Sequence, residues 1–206
     1  MNDVMYNQIG DGQEAILREL AESAAKPGCM FLEIGSWCGQ SSVIIGKVAQ
    51  QNNGLLFCVD WWDGSKNTRL DTLSKEHDIY QLFWNRIVGE GLKGIVIPIR
   101  GDSLLIHQIL KPYTFDFIFI DGDHRYSVVK RDIEAYRGLV RDGGVFSGHD
   151  CEGYIKDYDR EFLEQSKEND YVNGTHCGVV LAVGESFKEY YINNSIWGII
   201  IDDKKG

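Results

Sequence analysis

The sequence predicts an α/β domain on an open, doubly wound, mostly parallel seven-stranded sheet that ends in an antiparallel strand pair. Three observations lead there. Short apolar runs alternate with helical stretches along most of the chain. The runs are continuous rather than alternating, as in strands covered on both faces. The first five strands end at or within a residue of an acid: Glu33, Asp60, Asp102, Asp121 and Asp150. At 206 residues the chain suits one domain (1–206) with a full core.

The elements follow in order. Gln13–Ala25 is the first helix, within an N-terminal segment 1–27, with Ile16, Leu17, Leu20 and Ala24 on one face and KPG as its stop. CMFLEIG is the first strand, followed by a glycine turn and a helix from Ser41 to about Gln50. LLFCVD is the second strand. Residues 61–93 interrupt the alternation and read as a partly helical insertion, a lid over a site, with Phe83, Trp84 or Asn85 as wall residues. GIVIPIR and FDFIFID are the third and fourth strands. The helix after the fourth carries Val129, Ile133, Tyr136 and Val140 as an amphipathic stripe. GGVFSGHD is the fifth strand, and a polar helical stretch runs from about Tyr154 to Glu168. GVVLAVG and SIWGIIID are the expected closing pair.

Composition excludes several classes. The net charge of −10 argues against a nucleic-acid backbone as partner. No apolar run reaches the length of a membrane span. The first residues, MNDVMYNQIGDG, lack the pattern of a signal peptide, and the five cysteines have no CxxC spacing, so a cytoplasmic protein with reduced thiols is expected.

Candidate chemistry gathers at the strand ends, where doubly wound sheets bind ligands. In FLEIGSWCGQSS, Gly35 permits a sharp turn and Gly39 a close approach of ligand to backbone, with helix amides near Ser41 and Ser42 as donors. Glu33 beside this turn suits a ligand bearing an ammonium group; an ordinary structural turn is the plain alternative. Asp60 can accept both hydroxyls of a ribose, or cap a turn. Trp61 and Trp62 could wall an adenine, with one of them only packing. Asp102 and Ser103 stand where an adenine amino group could be met. Asp121 and Asp123 project to one side if the chain stays extended, and Asp150 ends the neighbouring strand. Strands about 4.8 Å apart let such carboxylates share a cation, and crowded carboxylates without one make a general base. His124 and His149 are open to base, ligand or wall roles; His77, His107 and His176 have no supporting context.

LEIGSWCGQSS resembles the cofactor motif of catechol-type O-methyltransferases. IDGDHRY, GGVFSGHD and GVVLAV resemble the related sugar and natural-product O-methyltransferases. The resemblance spans about residues 28–201. It implies a Rossmann-like, S-adenosylmethionine-dependent enzyme in which Glu33, Gly35, Trp37, Gly39 and Ser41 hold the methionine portion. Asp60 would take the ribose, Asp102 and Ser103 would sit near the adenine, and Trp61 and Asp121 count with this donor site as well. Asp121 and Asp150 match the positions that bind magnesium in these relatives, and His149 stands where the relatives carry another acid or where their last pair is Asp-Asn. The catechol enzymes' lysine position holds His124, and the sugar enzymes' aspartate position holds Asp123; the two are joint candidates for the base.

The resulting expectation is methyl transfer to a hydroxyl of a small sugar, polyol or phenol, assisted by Mg2+ or another divalent cation. The rival readings are a metal-free transferase of this fold, including aminopropyl transfer, and a non-catalytic nucleoside-binding module. A homo-oligomer is compatible with the resemblance.

Overall fold

The computed structural model describes residues 8–202. Residues 1–7, on which part of the signal-peptide argument rests, lie outside them. Seven strands form one sheet: β1 (Met30–Ile34), β2 (Leu55–Asp60), β3 (Val96–Arg100), β4 (Phe115–Ile120), β5 (Val140–Gly148), β6 (Tyr191–Asn193) and β7 (Ile196–Ile200). Their order is β3-β2-β1-β4-β5-β7-β6. The first five are mutually parallel, β7 runs antiparallel to β5, and β6 antiparallel to β7. The order reverses between β1 and β4, so a crevice opens at their carboxyl ends.

Among the described residues, eight α-helices surround the sheet: α1 (Gln13–Ala24), α2 (Gln40–Gln51), α3 (Arg69–Glu76), α4 (Ile79–Gly89), α5 (Ser103–Leu110), α6 (Tyr126–Tyr136), α7 (Arg160–Ser166) and α8 (Cys177–Ser186). Alternation along the strands divides the core between the two faces. Phe31, Phe117 and Phe119 pack with Leu17 of α1, Ile45 of α2 and Phe83 of α4. Leu32, Ile118 and Phe146 pack with Ile133 of α6 and Val180 of α8. One acid interrupts β4: Asp116 is buried, but Lys26 and Arg141 pair with it at 2.9 and 2.7 Å, and the Met30 N–H donates to it.

One expected strand is a helix. GVVLAVG lies within α8, whose residues from Cys177 to Val183 are all buried. A helix apolar on every side has no polar face to declare its period, and its valines mimic a strand. The antiparallel pair exists, but β6 supplies the second strand. Asn194 and Ser195 join β6 to β7, both with left-handed φ (47° and 63°), as a two-residue hairpin requires. Gly178 lets α8 approach the chain at His124 and Tyr126, where a Cβ would overlap backbone.

The insertion folds mainly as α3 and α4. Phe83 is fully buried against Trp62 and Tyr80 rather than walling a cleft, and the Asn85 side chain accepts from Gln81 on the helix surface. The polar stretch after β5 holds a short 3-10 turn (Ile155–Asp157) and α7. All five cysteines are buried and none forms a disulfide. Among the described residues, no helix is long and apolar enough to cross a membrane.

Candidate active site

A cleft of about 420 Å³ opens at the carboxyl ends of β1, β2, β4 and β5. Its lining includes Gly35, Trp37, Asp60, Trp61, Asp102 and Ser103 towards one end, and Asp121, Asp123, His124, His149 and Asp150 towards the other.

The turn after β1 is built for close packing. Gly35 has φ 87°, and a Cβ there would overlap the Asp121 carbonyl, so only glycine lets β1 and β4 finish side by side. Glu33 points away from the cleft. It is fully buried, and its Oε2 accepts from the hydroxyls of Ser36 and Ser42 and from the Cys58 thiol at 3.4 Å. Burial raises its pKa against these donors. Gly39 begins α2 with φ 83°, and the side on which a Cβ would stand is filled by Phe83, 3.0 Å away. Ser41 is likewise buried. Gly35 and Trp37 line the cleft; Gly39 and Ser41 line a small adjoining recess with Gly35, Trp37 and Asp121, and Glu33 lies beneath the turn.

Asp60 ties this turn to β2. Its Oδ2 accepts the N–H groups of Ser36 and Trp37, both at 2.8 Å, and its Oδ1 that of Trp62 at 2.6 Å. Burial raises its pKa against these amides. The tryptophans divide their labour. Trp62 is buried and donates its indole N–H to the Trp37 carbonyl, whereas Trp61 is 44% exposed and lines the cleft. Asp102 caps α5, accepting from Leu104 and Leu105. Ser103 donates to Asp132 at 2.7 Å.

The other end is acidic and rich in imidazole. Ile120 pairs with Gly148, so Asp121 and His149 leave β4 and β5 together. Consecutive strand residues normally face opposite ways, but Asp150 has φ 58° and turns its carboxylate back beside His149. His149 Nδ1 lies 3.4 Å from both Asp121 Oδ1 and Asp150 Oδ1. Ligand atoms of Asp121, His149 and Asp150 all lie within 4.8 Å of one another. Burial opposes charge on His149, but the two carboxylates outweigh it and raise its pKa to about 10. Burial likewise disfavours the Asp150 carboxylate, yet His124 and His149 hold it well below the usual range.

The two candidate bases have different surroundings. Asp123 accepts from the Arg125 backbone N–H (2.9 Å), Nε (2.8 Å) and Nη2 (2.6 Å). This clamp outweighs burial and lowers its pKa. His124 faces Asp150 through Nε2 at 3.0 Å and Asp170 through Nδ1 at 2.8 Å. Burial opposes its protonation, but the two acids raise its pKa well above the ordinary value.

Residues 32–151 match a methyltransferase-domain family (Methyltransf_24). The chain belongs to this family. The methyltransferase also shares its fold with solved structures. An O-methyltransferase from Bacillus cereus in complex with SAH is 16% identical with TM-score 0.62, covering 94% of this chain and 83% of that one. TomG from Streptomyces achromogenes, an O-methyltransferase involved in tomaymycin synthesis and solved with SAM, is 16% identical with TM-score 0.62, covering 93% and 81%. Cofactor-bound Rv0187 from MTB gives 16% and 0.64, covering 96% and 83%.

Several cleft residues of this methyltransferase escaped the sequence reading. Asp132 is buried, with burial pushing its pKa up to about 6 against the Ser103 hydrogen bond. Its signal was present: it sits three residues after Val129 and four before Tyr136, on the apolar stripe of α6. His176 lines the cleft, its Nδ1 2.6 Å from Glu152 and 3.6 Å from Asp150. His176 and Asp170 arrive from the segment after β5, and only folding brings them near His124.

Proposed function

We propose that this chain is an S-adenosylmethionine-dependent O-methyltransferase acting on a hydroxyl of a small sugar, polyol or phenol, with a divalent cation at Asp121, His149 and Asp150. The observation that carries the reading is the convergence of those three side chains in the cleft that begins at the Gly35 turn. Family membership favours methyl over aminopropyl transfer. The SAM- and SAH-bound neighbours of the same fold support the donor. The acidic cleft suits a sulfonium donor and argues against a polyanionic acceptor.

The three side chains would fit a cation that displaces the proton from His149, since an imidazole ligand must be neutral. Ligands about 2.1 Å from one ion stand roughly 3.0–3.4 Å apart at octahedral to tetrahedral angles, and His149 Nδ1 is 3.4 Å from each carboxylate. Such an ion supplies positive charge that lowers the pKa of the acceptor hydroxyl and opposes protonation of the adjacent His124.

The chain's own residues do the rest. Trp61 and Asp60 border the nucleoside side, with Asp102, Ser103 and Asp132 further along. With such an ion offsetting the two acids, His124 would be the proton acceptor: its Nε2 faces the cleft carboxylate while Asp170 fixes the ring through Nδ1. Asp123, clamped by Arg125, shapes the loop after β4. Methyl transfer is an in-line displacement, so holding acceptor and donor in register supplies much of the rate.

Calorimetry with SAH tests the donor, and a screen of hydroxylated acceptors with methyl-labelled SAM tests the reaction. The expected result is SAH binding and label recovered as a methyl ether. A protein that takes up no SAH at saturating concentration refutes the reading.

A further inference from the structure

We propose that the ion held by Asp121, His149 and Asp150 is a first-row transition-metal dication such as Mn2+, Fe2+, Co2+ or Zn2+, in preference to Mg2+. The inference rests on the cation reading above and adds the class of ion.

The position of the imidazole carries the argument. The His149 backbone N–H donates to the Ile120 carbonyl at 3.0 Å, extending the β4–β5 ladder one residue past β5. Gly148 before it is packed so closely on the Ile120 carbonyl and Trp197 that a side chain there would overlap both. The root of His149 is thus pinned, and the residue is only 7% exposed. Nδ1 stands equally far, 3.4 Å, from the nearest oxygens of Asp121 and Asp150. An ion bridging those carboxylates meets the nitrogen.

Among the described residues, no three carboxylates stand together at metal-ligand spacing. Among the described residues, the one other group with metal-ligand spacing is His124, Asp150 and His176, which adds two imidazoles around the same carboxylate. Three ring nitrogens lie 3.0, 3.4 and 3.6 Å from Asp150 oxygens. Mg2+ demands a near-octahedral oxygen shell and gives up water reluctantly. A nitrogen ligand favours first-row dications over Mg2+, least for Mn2+ and increasingly towards copper, so Mn2+ is the most demanding member of the class to test.

The test uses the full chain stripped by chelator, titrated calorimetrically with Mn2+ and separately with Mg2+. The Mn2+ complex is then examined by pulsed EPR for nitrogen coupling. Wild type should bind Mn2+ about 10-fold or more tighter than Mg2+ and show the coupling. His149→Ala should abolish the coupling and most of the preference. His149→Asp, which supplies a third oxygen, should bring the two affinities within about threefold. SAH calorimetry on each variant reports whether the cleft still folds. Mg2+ binding as tight as Mn2+ overturns the inference, and so does nitrogen coupling that survives His149→Ala. If neither ion binds while SAH binds normally, the cation reading falls and the inference with it. If SAH fails but the ions bind as expected, the donor reading alone is lost.

Discussion

Asp170 Oδ1 lies 2.8 Å from His124 Nδ1, joining residues 46 positions apart in the chain. The contact ties the segment after β5 to the loop after β4. It fixes which way the His124 ring faces, because Nε2 is then left to Asp150. The same arrangement, a carboxylate behind an imidazole, holds the ring of many histidine bases in one tautomer. Asp170→Ala should lower kcat by roughly 10- to 100-fold with little change in SAH affinity. Asp170→Asn, which can still meet Nδ1, should recover part of the loss. Steady-state kinetics with SAH calorimetry decide; an unchanged kcat in both variants removes Asp170 from the site.

The two candidate bases separate by substitution. His124→Gln should reduce kcat by roughly 10²–10⁴-fold while SAH still binds. Asp123→Asn releases the Arg125 clamp and should show mainly in thermal stability, with a smaller loss of kcat. The reverse pattern, a larger kcat effect at Asp123, assigns the base to the carboxylate.

Asp132 gives a pH signature. Its folded pKa, about 6, is raised above the ordinary 3.8. Its contribution to stability is therefore fully present below about pH 3.8 and lost as the pH climbs through about 6. Asp132→Asn removes the buried charge, so the variant should be more stable than wild type at pH 8, by roughly 1–2 kcal/mol after losses in hydrogen bonding. The advantage should shrink towards pH 4. Thermal melts of both proteins across this range measure it; an Asn variant less stable at pH 8 than at pH 4, relative to wild type, contradicts the burial argument.

Two glycines should respond differently to the same methyl group. Gly35→Ala meets backbone at Asp121 and adopts a left-handed φ, so it should cost roughly 2–4 kcal/mol and abolish SAH binding, with no side-chain change able to compensate. Gly39→Ala meets the Phe83 ring instead. Pairing it with Phe83→Leu should restore part of the lost melting temperature. Failure of that pair to exceed Gly39→Ala alone would show that the cost lies in the backbone angle.

How much of this was legible depended on range. The five parallel strands announced themselves as short, largely apolar runs, and their acidic ends gave Asp60, Asp121 and Asp150 as cleft residues. Glu33 was visible as a strand-end acid, but one residue's difference in pleat turned it beneath the turn, where Ser36 and Ser42 hold it. α8 was misread because a helix buried on all sides carries no periodic signal. His176 and Asp170 could not be found, since nothing local in their surroundings sets them apart from surface residues; their partners come from another strand end. Asp132 could have been found, as a carboxylate on an otherwise apolar helix stripe.

The left-handed backbone at residue 150 has a consequence for variation. Besides glycine, asparagine and aspartate are the side chains that tolerate this conformation readily. Replacements at this spot are thus filtered by sterics before chemistry enters: Asn would keep the bend while erasing the charge, Gly would keep the bend while erasing the ligand, and bulkier substitutes would uncoil the strand's exit. Asp150→Asn is accordingly a near-isosteric probe in which charge alone changes.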